Sequence, residues 1–164
     1  MKIQNKLPKD KERIKRFYEN CEKRHKYISA VREYADKHLI KAKHDFSRAV
    51  KELEDKCWDW TVIKAYYSIF HAGNYLLLKK KGFFCKDHSC LIIALEYNGL
   101  LDNKIYKELS DLHESLADIF GFDLTFQLRK LGQYDVNEWE NITEDDAKLI
   151  VHIARRFIQF VENA

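Results

Sequence analysis

The side chains with the most chemical capacity recur at helical spacing in one apolar segment and gather again in one irregular stretch. Lys64, Ser68, His71 and Tyr75 fall at i, i+4, i+7 and i+11, a polar stripe along an otherwise apolar rod, with Tyr67 and Asn74 beside His71. Polar groups in such a rod need partners. Either they hydrogen-bond to neighbouring helices and fix the register of a bundle, or His71 and the tyrosines line a cleft together with Arg129. Arg129, Tyr134 and Asp135 sit in the irregular stretch 121–142, where side chains are free to face a ligand. An Arg grips phosphate with a bidentate fork, and a Tyr stacks on a base or donates its hydroxyl. In the purely structural alternative, Arg129 and Asp135 pair with each other and pin the loop. The candidate ligand-binding residues are thus Arg129, Tyr134, Asp135, His71, Tyr67 and Lys64, with no catalytic residue assigned.

Cys85, His88 and Cys90 cluster within six residues, and Cys21 with His25 at i, i+4 could add two ligands from elsewhere. Structural zinc sites show paired ligands at short spacing on both sides, and only fragments occur here, so neither a metal nor another cofactor is expected. The chain has no Gly-rich phosphate loop, no Gly-x-Ser-x-Gly elbow and no His-Glu-x-x-His, which weakens NTPase and hydrolase readings.

These residues must be positioned by helices. One proline, five glycines and 34% charged residues leave little material for the turns of an all-β fold, and the Leu, Ala, Lys and Glu content favours helix. At 164 residues the chain is long enough to bury one core without help from disulfides or metal. Segment 58–81 is apolar around most of its circumference and belongs at the centre of a bundle, with Gly73 marking a close helix crossing and Gly82 the C-terminal stop. Helices are predicted over 88–98, capped by Asp87, over 103–120, ending at Gly121, and over 143–162, opened by a Thr143/Asp146 capping box. The expected core includes Tyr66, Ile69, Phe70, Leu112, Leu116, Ala154 and Phe157. Between residues 9 and 57 no Gly or Pro interrupts an apolar stripe, which implies either one long helix or two with a break near Ser29.

Charge divides the chain unevenly. Residues 1–26 carry ten Lys/Arg against four Asp/Glu, a net +6 on a chain whose total is +3. Such a leader could hold nucleic acid, pair with the body of a second subunit, or simply be a solvated face. The domain expectation is accordingly a basic N-terminal helical extension over 1–27 and a helical bundle over 28–164. No signal-peptide core and no run approaching a membrane span is present, so the expected compartment is cytoplasmic with no membrane association. The four cysteines are then expected to be reduced thiols.

The segment Ala65-Tyr66-Tyr67-Ser68-Ile69-Phe70-His71-Ala72, its following leucine run, Gly82-Phe83 and Lys86-Asp87-His88 resemble the signature of a small branch of the HEPN family. Arg129-Lys130-Leu131-Gly132-Gln133-Tyr134-Asp135 resembles that branch's Arg-then-Tyr element, and Thr143-Glu144-Asp145-Asp146-Ala147 the opening of its last helix. The resemblance spans residues 40–163 and implies an all-α, up-and-down bundle, usually a homodimer. It also implies association with a nucleotide, RNA or a partner nucleotidyltransferase, as in a toxin-antitoxin or other defence module. Many ribonucleases of the family place a His four to six residues beyond the Arg. From Arg129 that gap reaches Tyr134, Asp135 and Val136, and no His stands there; Arg32 and His38 have the spacing but lie on the early helix. The expectation is a binding protein that acts with a partner, the alternatives being a metal-independent ribonuclease using His71 or another His, or a non-catalytic interaction domain.

Overall fold

The structure, a computed structural model, describes residues 6–120 and 139–164. Its centre is the helix α3 (Trp58–Lys81), which buries residues on every side and so has almost no polar face. It ends at Gly82, whose φ of +82° is left-handed and whose amide bonds back to the Leu78 carbonyl at 2.9 Å. Against it packs α2 (Ala35–Glu54), joined to it by the short turn 55–57. His38 meets His71, the Ala42 carbonyl meets Ser68, and Glu52 meets Lys64. As numbers rise on one helix they fall on the other, so the two run antiparallel.

On another face of α3 lies α4 (His88–Tyr97), with the Asp87 carboxylate accepting from the Cys90 amide at 3.0 Å as its N-cap. A Cβ on Gly73 would stand 2.9 Å from Leu91 Cδ2, so the missing side chain is what lets α4 approach this closely. The bundle is completed by α5 (Asn103–Phe120) and by α6 (Glu144–Glu162), which begins with the Thr143/Asp146 capping box. Tyr66, Ile69, Leu112, Leu116, Ala154 and Phe157 are buried, while Phe70 packs against the core only partly covered. The architecture is an all-α bundle, and among the described residues no helix is long and apolar enough to cross a membrane.

Residues 9–57 form two helices rather than one. The first, α1 (Lys11–Lys23), is capped by Asp10, and the chain then reverses through His25 at φ +52°. It next forms a three-residue strand, β1 (Tyr27–Ser29), which pairs antiparallel with β2 (Phe83–Cys85), placing Tyr27 opposite Cys85 and Ser29 opposite Phe83. Ser29 therefore sits in a ladder and caps nothing, and α2 instead grows out of a 3-10 turn over Arg32–Tyr34. This small ladder has no counterpart in the helical reading of the sequence.

A second correction concerns sulfur. The fully buried Cys21 and Cys90 form a disulfide between α1 and α4, with Cα atoms 5.9 Å apart. Two residues separated by 69 positions meet because α1 folds back onto α4, where Tyr18 also stacks on Tyr97 at 4.2 Å. Cys57 and Cys85 remain free thiols.

Asn74 fastens the ladder to α3, and the Tyr27 hydroxyl fastens it to α4 by donating to the Cys90 carbonyl at 2.9 Å. Asn74, fully buried on α3, donates from Nδ2 to the Cys85 carbonyl at 3.0 Å and accepts the Cys85 amide on Oδ1 at 2.7 Å. Removing the amide strands two buried backbone groups, each of which costs about 1–3 kcal/mol unpaired. Asn74→Ala should therefore lower unfolding free energy by roughly 2–5 kcal/mol, measured by urea denaturation. A change below about 0.5 kcal/mol would mean that water or the backbone takes over both bonds.

Candidate functional site

The antiparallel seam between α2 and α3 is polar along its length. At one end Lys64 pairs with Glu52 and lies 5.5 Å from the Trp60 ring centroid. In the middle, Ser68 Oγ donates to the Ala42 carbonyl at 2.8 Å. At the other end His38 and His71 meet, Nδ1 to Nδ1, at 3.2 Å. Such a contact works only if one ring carries the proton and the other accepts it, so the two imidazoles differ in role.

This pair opens onto a cavity of about 370 Å³. Lys37 and Lys41 line it from α2, Phe84 from β2, and Ala30 and Tyr34 from the segment before α2. Lys37 stands 4.5 Å above the Tyr34 ring, a cation–π contact that holds both at the mouth. Lys41 is paired with Asp45, which is itself buried and has its second oxygen, Oδ2, without a hydrogen-bond partner among the described residues. The cavity thus gathers two imidazoles, two ammonium groups and an aromatic edge, with no carboxylate among its lining residues.

Burial weakens both imidazoles as bases. It is the largest cause for His71, the neighbouring His38 and Lys41 add to it, Asp45 opposes it, and the pKa falls to about 4. His38 is lowered from its usual 6.5 by burial alone. Near neutral pH the pair is uncharged, and Lys37 and Lys41 supply the positive potential.

The structure draws only one of the sequence-predicted candidates into this cavity, His71. Lys64 is spent on Glu52. Tyr67 turns its edge to His88 at 5.8 Å, and His88 stacks on Tyr66 at 4.1 Å and Phe70 at 4.4 Å, away from the imidazole pair. Arg129, Tyr134 and Asp135 lie outside the described residues. Arg32 is exposed beside Gly82 and does not line the cavity. His38, Lys37 and Lys41 were not singled out as ligand contacts. Their signal is the spacing 34, 38, 41, 45 along α2, which mirrors 64, 68, 71, 75 along α3. Among the described residues no group of three or more His, Cys, Asp or Glu side chains is placed to hold a metal ion.

A small all-α bundle with an imidazole pair between two antiparallel helices is the class that fold and site define. The HEPN domain profile matches residues 35–164, most of the chain, and the protein belongs to the HEPN family. Membership points to a role connected with nucleotides or RNA. No curated protein sequence matches the chain. The matched segment begins at Ala35, so Ala30 and Tyr34 are cavity walls supplied from outside it.

Acid should act on this site with a definite sign. His71 binds a proton more weakly folded, at about 4, than unfolded, near 6.5, so the unfolded chain takes up more protons between those values. Stability is therefore highest above that window and falls on acidification through it. Because His71 is only partly buried, its share is about 1–2 kcal/mol after the discount for solvent screening. Urea denaturation at about pH 7 and about pH 4.5 should show His71→Gln losing less stability than the wild type. Equal losses would locate the acid sensitivity in other groups.

Proposed function

We propose that this HEPN protein binds RNA or a nucleotide, with a phosphate seated at the His38–His71 cavity, and that it acts with a partner protein. The observation that carries the reading is the pairing of two neutral imidazoles with two lysines around one open pocket. Phosphate oxygens accept from ammonium and imidazole N–H groups, the lysines supplying the charge and a neutral imidazole a further N–H donor. Tyr34 and Phe84 offer ring surface on which a base can stack. The partner, for which a nucleotidyltransferase is the model, and the role of Arg129 as a second phosphate contact rest on the family resemblance.

One observation favours a second reading, metal-independent RNA cleavage. Two imidazoles of opposite protonation are what such cleavage requires: one takes the proton of the attacking 2′-hydroxyl while the other protonates the departing 5′-oxygen. The hydrogen bond between His38 and His71 sets complementary tautomers in two neutral rings, so the acid role requires one ring to be protonated first, which burial opposes.

The two readings part in one experiment. Binding of a generic single-stranded RNA and of ATP is measured for wild type, Lys37→Ala and His71→Ala, and the RNA is then incubated with excess chelator. Losing a charge-assisted hydrogen bond costs about 1.5–3 kcal/mol, so each variant should bind roughly ten- to a hundredfold more weakly. Intact RNA throughout supports the binding protein. Cleavage that survives the chelator and disappears in both His38→Ala and His71→Ala would establish the ribonuclease. Unchanged affinity in Lys37→Ala and His71→Ala, with the fold intact, would remove the cavity as the binding site.

A further inference from the structure

A separate cavity among the described residues shares no lining residue with the histidine pocket. It measures about 480 Å³ and is bounded by the chain entering α1 and by one face of that helix, with Lys6, Lys9, Arg13 and Arg16 on its walls. A second hollow of about 310 Å³, flanked by Lys23 and Arg24, shares Phe17 and Asn20 with the first. Together they form one groove along α1, and from Arg13 to Arg24 it runs about 16 Å at 1.5 Å per residue.

Its lining is mostly basic, with Lys6 paired to Glu114 at 3.1 Å. Asp10 is the only carboxylate in the lining, and it is occupied as the N-cap of α1, accepting from the Arg13 amide at 2.9 Å. Arg13 and Arg16 are shared with exposed carboxylates, Asp10 at 3.4 Å and Glu12 at 3.2 Å. Exposed pairs of this kind contribute little and yield readily to a phosphate. Lys9 and Lys23 have no ion pair among the described residues, and Arg24 rests on the sulfurs of Cys90 and Cys21 at 3.4 and 3.7 Å, leaving its charge uncompensated. Midway between the two cationic ends sits Phe17, only partly covered, with the exposed Asn20 one turn on.

From this arrangement we infer that the groove along α1 binds a single-stranded nucleic acid, its phosphates on the two basic ends and a base on Phe17. Cations spaced along a channel with an aromatic face between them are what an unpaired strand needs, since every base has a face to stack while its backbone carries the charge. An acidic protein segment would satisfy the cations and leave the aromatic ring without a role. The site lies outside the HEPN-matched segment and does not depend on the imidazole cavity for its binding.

The test uses the full chain and a fluorescein-labelled twelve-nucleotide oligouridylate, read by anisotropy over a range of salt, in both the wild type and a His38→Ala/His71→Ala background. In both backgrounds Arg16→Ala/Lys23→Ala should weaken binding at least tenfold. It should also make the slope of log K against log salt shallower by about 1.4, since each single-strand phosphate contact contributes about 0.7. Phe17→Ala should weaken binding roughly five- to a hundredfold with the salt slope unchanged, because stacking releases no counterions. Circular dichroism confirms that each variant folds. The inference is overturned if the double charge variant leaves affinity and slope unaltered in both backgrounds. It is equally overturned if Phe17→Ala binds as well as its parent, or if a polyglutamate peptide of matched charge binds more tightly than the oligonucleotide. Unchanged binding in the histidine background would count against the cavity reading and leave the groove standing, whereas loss of all binding in that background would overturn the groove as an independent site.

Discussion

Two hydrogen bonds from Asn74 to the backbone of Cys85 tie the periphery of this molecule to its centre. A fully buried amide on a helix as apolar as α3 is stable only because both of its ends are satisfied. What it satisfies is the last residue of β2, and β2 in turn pairs with β1. Phe84 then reaches the imidazole cavity from one strand, and the chain leaving the other supplies Ala30 and Tyr34 to its wall. The pocket is thus assembled by a clamp on the far end of a two-strand ladder.

The same helix explains why the pocket holds imidazoles that stay neutral. Lys64, Ser68 and His71 on the α3 stripe face α2 at a fixed antiparallel register, so Ser68 is consumed by a backbone carbonyl and Lys64 by Glu52, while Tyr75 accepts from Lys79 on α3 itself. Only at the end of the seam does a polar residue meet another polar side chain that is not of opposite charge. Two half-buried imidazoles cannot both ionise, and burial pushes each away from the proton. Asp45 pulls His71 the other way, but its charge is already shared with Lys41. The structural reading of the stripe is thus realised at Lys64 and Ser68, while His71 faces an open cavity.

Much of the bundle is legible in the sequence because its signals are local. Gly82 with its left-handed φ, the Asp87 cap, and the Thr143/Asp146 box each act within one turn of the helix end they define, and the predicted and observed boundaries agree there. What escaped is non-local. Strands of three residues carry too few positions for alternation to stand out, so Tyr27–Ser29 reads as helix without sight of its partner, Phe83–Cys85, 54 to 58 positions away. The Cys21–Cys90 bond likewise follows from α1 folding back onto α4, which no spacing rule encodes. His38 illustrates the point at the site itself. Its spacing from Arg32 suggested a family motif on the wrong helix, whereas its relevant neighbour, His71, is 33 residues away across the seam. The sequence showed which helices carry polar stripes but could not show which stripes face one another.

The disulfide gives the N-terminal segment a mechanical meaning. It anchors α1 on α4 beside Arg24, and from that residue the chain passes directly through β1 to Ala30 at the cavity wall. Six residues of extended backbone reach at most about 20–22 Å. The basic end of the α1 groove and the imidazole pocket are therefore separated by no more than that span plus the depth of the pocket wall. A strand lying along α1 needs only a few further nucleotides to bring a phosphodiester to His38 and His71. Because β1 is held by β2 and β2 by Asn74, the two surfaces keep a fixed relation, and a ligand engaging both gains from their proximity as a linked pair of sites does. The segment outside the family-matched bundle thereby does two things at once: it closes one side of the pocket and presents the positive surface that would lead a strand towards it.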